Sequence, residues 1–358
     1  MDKQASIRRI QRLSDANGIS GFEDAVVELI RQEAEDLGNF SEDSLRNLYL
    51  ERSGNGKDRP VLLLDAHTDE VGFMVKAIRP DGMLEFITIG GWVPFNIPAH
   101  LVRVRNRDGL YIPGVVASKP PHFLTEAERK APLEVRDLVI DVGASSAEEI
   151  EHEYLIEIAA PVVPDAHCSY DEVHDILMGK AFDNRLGCAA VVSAMEELRG
   201  DELPLNIVGA FASQEEVGTR GAAVTAQRVT PDLAIVFEGC PADDTVVPAY
   251  QAQTVLKRGP MLRHIDARMI TNPRFQRYAL DIAKREAIPV QRAVRTGGAT
   301  NGAPIHLSNQ GVPAIVVGIP VRYAHTHYGI SSYSDFAHGV ELAVKIIRNI
   351  THDIIAGF

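Results

Sequence analysis

Two kinds of hydrophobic spacing alternate along the chain, and they divide it. Ile7, Ile10 and Leu13 recur at helical spacing, and this run stops at Asn17-Gly18. Ser20 then stands as an N-cap, and residues 22–37 repeat the pattern through Val26, Val27, Ile30 and Leu37 before Gly38. Apolar positions three and four apart line one helix face, and glycine ends such a run, so two helices are predicted. A short strand follows near Leu48-Tyr49-Leu50. Next comes Pro60 to Glu70, whose unbroken Val61-Leu62-Leu63-Leu64 suits a strand covered on both faces.

From Val71 to about Val163 the period shortens to two. Residues 71–78, 83–89, 101–104, 138–142 and 154–159 are predicted strands, with Pro80-Asp81-Gly82 and Arg107-Asp108-Gly109 as hairpin turns. This stretch reads as a small all-β domain, 71–163, inserted into a catalytic domain made of 1–70 and 164–358. Its short strands are expected to expose sheet edges. Inside it, Lys119-Pro120-Pro121 and the charged stretch 126–136 read as a mobile loop.

Beyond Gly179 an α/β rhythm resumes. Helices are predicted over 186–198, 219–228, 272–286 and 333–350, and strands over 205–212, 233–237, 288–293 and 314–319. A short helix is expected after the loop 296–302 and ends near Gln310-Gly311. The fold class is α/β, with a mixed, mostly parallel central sheet flanked by helices and the small all-β insertion.

Composition narrows the options. A chain of 358 residues exceeds the usual single core, which agrees with two domains or one domain carrying an insertion. A net charge of -13 disfavours nucleic acid and anionic membrane as partners. No apolar stretch approaches the roughly 18 residues that span a bilayer. The N-terminal segment is polar and amphipathic rather than a secretory leader, so a cytoplasmic protein is expected. Cys168, Cys188 and Cys240 are too scattered for a disulfide framework or a zinc knuckle.

Candidate chemistry gathers where predicted strands end. Ser213-Gln214-Glu215-Glu216-Val217-Gly218 leaves one such strand, and ligands in open α/β sheets bind beyond the C-terminal ends of strands. Successive strand residues face opposite ways, so adjacent glutamates can serve one site differently, one holding a metal and the other a proton. Alone, a Glu-Glu pair is a solvated acidic turn; its company decides. His67 and Asp69, Glu238, and His325 each follow another central strand, and Asp183 precedes a buried helix. Each has a plain structural use: a turn histidine, a strand-end acid, a helix N-cap. His325 and His327 are alternate residues of an extended segment and compete for one role. Carboxylates with imidazoles suit one or two zinc, cobalt or manganese ions.

Ala66-His67-Thr68-Asp69-Glu70-Val71-Gly72, Lys180-Ala181-Phe182-Asp183-Asn184-Arg185, Gln214-Glu215-Glu216-Val217-Gly218 and Arg322-Tyr323-Ala324-His325 together resemble the signatures of the tetrahedral (glutamyl) aminopeptidases. These are dinuclear metallopeptidases, some of which carry an old endoglucanase label. The resemblance spans nearly the whole chain, the β insertion included. It implies two divalent ions per subunit, one held by His67 and Glu238, a second by Glu216 and His325, with Asp183 bridging. It implies Glu215 as general base and Asp69 as the group that orients His67. It further implies short peptides as substrates, dimerisation through the insertion, and dimers building a tetrahedral homododecamer.

Three positions depart from the family pattern. Glu238 stands where the family has aspartate, Gly297-Gly298-Ala299-Thr300 where it has Gly-Gly-Thr-Asp, and His327 where it has proline. Rival readings are a carboxypeptidase or a deacylase of small N-acyl substrates on the same dinuclear scaffold. A non-catalytic scaffold is at odds with an intact Glu215. A glycosidase built on the carboxylate pair leaves His67 and His325 without a role.

Overall fold

Strands buried on both faces organise the larger of two compact units, which comprises Met1–Asp69, His167–Ala324 and Tyr328–Phe358. The structure is a computed structural model and describes residues 1–358. In chain order the strands are β1 (Gly38–Glu42), β2 (Leu48–Arg52), β3 (Val61–His67), β4 (Gly72–Ile78), β5 (Leu84–Ile89), β6 (Leu101–Arg105), β7 (Tyr111–Ala117), β8 (Val139–Asp141) and β9 (Pro161–Pro164). They continue as β10 (Ser169–Asp171), β11 (Ile176–Gly179), β12 (Asn206–Ala212), β13 (Leu233–Pro241), β14 (Met261–Ile265), β15 (Gln291–Val294), β16 (Ala314–Val321) and β17 (Gly329–Ser331).

Eight strands form the main sheet in the order β1-β2-β12-β3-β13-β16-β14-β15. The central four, β12, β3, β13 and β16, run parallel, whereas β2 joins β12 and β14 joins β16 antiparallel. The mixed, mostly parallel sheet expected from the sequence is therefore present. Its unbroken apolar strands follow from cover on both sides. On one face Leu62, Leu64, Phe211, Ile235 and Phe237 share a core with the helices Lys3–Asp15, Asp24–Glu33, Phe182–Glu197 and Tyr333–Asn349. On the other, Leu63, Ala210, Ala234, Val236 and Val316 pack with Ala222, Ala226 and Ile305 of the helices Arg220–Val229 and Gly302–His306. Parallel register pairs Ala212 with His67 and Val236 with Asp65, so Glu238 stands level with His67, but inside β13 rather than just beyond it as the sequence suggested, since that strand continues to Pro241.

The smaller unit comprises Glu70–Ala166 and His325–His327. Its strands close into a barrel in the order β4-β5-β8-β7-β6-β9. Closure leaves no free edge, which corrects the expectation of exposed sheet edges. Phe73, Val75, Leu84, Val102, Val104, Val116, Ile140 and Val162 fill its interior.

Several local expectations change. The strand expected over 154–159 is replaced by a π-helical turn, Ile150–Tyr154, and a left-handed Leu155; the ladder begins only at Pro161. Alternation misled there because Ile156 is buried while Ile158, on the same register, is 66% exposed. The charged stretch 126–136 carries a short helix, Glu126–Lys130, closed by a Thr125/Glu128 capping box. β7 escaped notice because Pro113 and Gly114 read as breakers, yet they pair with Arg103 and Val102. The second helix ends at Glu33 rather than Leu37. No helix is long and apolar enough to cross a membrane.

Candidate metal centre

His67 ends β3 with its side chain wholly buried, and the backbone fixes which nitrogen it offers. Its Nδ1 lies 3.0 Å from the Asp69 carbonyl oxygen and 3.3 Å from Asp69 Oδ1. Nδ1–H therefore donates to Asp69, and Nε2 is left facing the other acids. Nε2 stands 3.0 Å from Asp183 Oδ1, 3.8 Å from Glu238 Oε1 and 4.0 Å from Glu215 Oε2. Burial alone would lower the His67 pKa, but the bonds to Asp183 and Asp69 and the charges of Glu215 and Glu238 lift it well above the usual histidine value.

Asp69 has a second task. Its Oδ1 accepts the Glu215 N–H at 2.8 Å, and its Oδ2 accepts the Glu216 N–H at 3.1 Å and the Ser20 hydroxyl at 2.6 Å. Burial would raise Asp69, but these donors and His67 hold its carboxyl below the usual aspartate value. One ionised carboxylate thus ties the β3 exit to the β12 exit. Ser20, expected as an N-cap, serves this bond instead; Glu23 takes the cap position without a side-chain cap bond.

Asp183 lies at the head of the helix Phe182–Glu197 in extended backbone, and the cap bond is made by Asn184 instead, whose Oδ1 accepts the Gly187 N–H at 3.0 Å. Beside it, Asn184 Nδ2 donates to the Phe237 carbonyl at 2.8 Å and to Glu238 Oε2 at 3.3 Å. Asn184 Oδ1 accepts from Gly239 N–H at 3.1 Å. The Asn184 amide thereby holds β13 against the Asp183 segment. Glu238 is pushed well above the usual glutamate range, first by burial and next by the Asp183 charge. Arg263, behind it, stays firmly protonated despite burial because Cys240, Glu238 and Asp266 surround it. Its guanidinium donates to Asp266 Oδ2 and Cys240 Sγ, both at 3.1 Å.

Donor atoms of His67, Asp183 and Glu238 all lie within 4.8 Å of one another, and carboxylate oxygens of Asp183 and Glu216 approach each other within the same distance. Acids converging on an imidazole in a buried pocket repel one another unless a cation joins them. Hard oxygens with an imidazole nitrogen form a donor set that fits a divalent ion. His325 follows β16 in left-handed backbone, within the three-residue run that packs with the barrel. His327 stacks on His100 at 4.1 Å between ring centres, beside Trp92 and Phe73. Burial, and then His100, push His327 down to about 3.

Residues not singled out in the sequence complete the support. Arg185 is wholly buried and donates to the carbonyls of Leu13, Ala16, Gly18 and Thr68. Asp65, one strand period before His67, accepts from Asn301 Nδ2 at 2.7 Å. Both were visible as charges inside apolar or motif segments, but their partners are far away in sequence.

A mostly parallel sheet that brings carboxylates and an imidazole together at its strand ends is an architecture that suits a metal-dependent hydrolase. The chain belongs to the M42 glutamyl aminopeptidase family, which it matches over residues 47–342. It is 32% identical over 356 residues to the putative aminopeptidase FrvX of Escherichia coli K12, covering 99% of this chain and 98% of that one. The TET aminopeptidase of a marine sediment archaeon of the Thaumarchaeota superposes with a TM-score of 0.94 at 36% identity, over 98% of this chain and 99% of that one. The TET1 peptidase of Pyrococcus horikoshii, which can assemble into a tetrahedron or a large octahedral shell, gives a TM-score of 0.86 at 27% identity, over 96% and 100%. The chain is accordingly an aminopeptidase, and peptidases of its family depend on metal.

Proposed function

We propose that the chain releases N-terminal residues from short peptides with two divalent ions per subunit. In this reading His67 and Glu238 would hold one ion, Glu216 and His325 the other, and Asp183 would serve both. Zinc, cobalt and manganese all suit such ligands. When bound, the ions supply Lewis-acid polarisation of the scissile carbonyl and acidify water. Glu215 takes the proton of the attacking water and passes it to the leaving amine. Asp69 fixes the His67 ring and the Glu215 and Glu216 amides, so ligand and base keep their spacing.

The observation that carries this reading is the convergence of His67, Asp183 and Glu238 donor atoms within 4.8 Å, with Glu215 4.0 Å from the imidazole. We further assign the barrel to dimerisation and the dimers to a tetrahedral homododecamer, as the assembly of the Pyrococcus horikoshii relative supports. Cysteines 168, 188 and 240 are unpaired, which supports work in a reducing cytoplasm. The test is a matched pair of peptides, one with a free amino end and one N-acetylated. Release of the first residue only from the free peptide, abolished by chelation and restored by a divalent ion, is expected. Equal cleavage of the acetylated peptide would mean a deacylase or carboxypeptidase instead.

A further inference from the structure

The turn that carries Glu215 and Glu216 is held from outside by three consecutive amide bonds. Glu215 and Glu216 give their N–H groups to Asp69. The preceding N–H, that of Gln214, goes to Glu23 Oε1 at 3.1 Å. Gln214 sits at φ 54, a left-handed conformation that a non-glycine residue adopts only when its surroundings impose it. Glu23 is 1% exposed and comes from a turn of its own. In that turn Gly21, at φ 89, presents its N–H to the same Oε1 at 2.8 Å, while Ser20 reaches Asp69. The segment Ser20–Glu23 thus touches both halves of the Glu215 support, one residue through a hydroxyl and another through a carboxyl. Glu23 Oε2 is buried and has no hydrogen-bond partner. A carboxyl kept in such a place for packing alone would be costly.

We propose that Glu23 is a positioning residue for the reaction: by accepting the Gln214 N–H it sets the left-handed turn that aims Glu215 at the centre. The inference rests on the role given to Glu215 above. What the turn needs from Glu23 is an acceptor oxygen rather than a negative charge. Burial, and then the neighbouring Asp69 carboxylate, lift Glu23 to about 7, so near neutral pH the group is partly protonated, and Oε1 accepts the Gln214 N–H in either state. Glutamine at this position keeps the oxygen and the length; alanine removes both.

The experiment compares Glu23→Ala and Glu23→Gln in the full-length, metal-loaded protein, with two readouts. Hydrogen exchange of the segment 213–218 reports the clamp without reference to activity, and steady-state kinetics reports its consequence. In Glu23→Ala, exchange in that segment is expected to rise at least about tenfold. Its kcat is expected to fall by roughly 10–100-fold with KM within about twofold, the effect of a displaced catalytic group. Glu23→Gln is expected to recover kcat to within about threefold and to restore protection. Unchanged kcat in Glu23→Ala overturns the proposal, as does a Glu23→Gln defect equal to that of alanine. Should alanine prevent folding, Glu23→Gln decides alone: restored protection with a kcat loss beyond tenfold overturns it. Glu215→Gln is measured beside them. Near-normal turnover there removes the role of Glu215 itself, whereas the exchange result still judges the clamp.

Discussion

The carboxylate of Asp69 and the amide of Glu215 are joined at 2.8 Å, although the two residues lie on separate strand exits. The same carboxylate receives Glu216 and faces the His67 imidazole, so the proposed base and two proposed ligands share one anchor. The adjacent glutamates should nevertheless fail in different ways.

Glu215→Gln keeps size and a polar tip but removes the basic oxygen. Bound ions should remain while kcat falls by roughly 10²–10⁴-fold, the usual worth of a positioned acid–base group. Glu216→Gln removes the proposed anionic ligand, so metal content should fall with turnover. Metal stoichiometry and turnover, measured for both in one buffer, check this. Loss of metal from Glu215→Gln would invalidate the assignment.

Chelation should separate the two proposed ions. Glu238 has a longer arm than the family's aspartate, and the positive charge of Arg263 faces it from behind. Both features set the His67–Glu238 position apart from its neighbour, so one ion should leave first under mild chelation. Elemental analysis along a chelator titration should show a plateau near one ion per chain. Simultaneous loss of both would contradict unequal sites.

A pH signature should come from Asp65. Its burial lifts the carboxyl from 3.8 to about 7, with the Asn301 bond and His67 pulling partway back. Between those values the native state holds a proton that the unfolded chain has released. Unfolding free energy therefore falls as pH rises through this window and levels off above it. At about 1.4 kcal/mol per unit the effect is on the order of 4 kcal/mol at most. In metal-free protein, Asp65→Asn should remove this slope, and its Tm advantage should grow between about pH 5 and about pH 8. An equal Tm difference at both ends would show that Asp65 titrates as it does when unfolded.

The barrel should govern assembly. Removing residues 72–162 and joining the ends should yield particles of lower mass by light scattering, if the barrel makes the dimer contacts. A deletion variant of full assembled size would assign those contacts to the α/β unit.

How much of this was legible in the sequence follows physical range. The runs at Leu62–Leu64, Ile207–Phe211, Leu233–Phe237 and Ala314–Ile319 announced buried parallel strands because both faces are apolar. His67, Glu215, Glu216 and Glu238 were legible because they stop those runs abruptly. β14, with Arg263 and His264 inside it, lacked such contrast. Glu23 and Asn184 were silent because their work lies in bonds to Gln214 and Glu238, far away along the chain. Ser20 was noticed for the wrong reason: a serine before a helix reads as a cap, and only the fold shows Asp69 as its acceptor.

The buried guanidinium of Arg185 has one more consequence. It gathers the carbonyls of Leu13, Ala16 and Gly18 at the end of the first helix, and that of Thr68 between His67 and Asp69. Withdrawing these acceptors leaves a buried cation with fewer and fewer partners, at a rising cost. The first helix and the β3 exit should therefore open together, as one cooperative unit. A nick near Ala16, remote from the chemistry along the chain, should therefore loosen the β3 exit that carries His67.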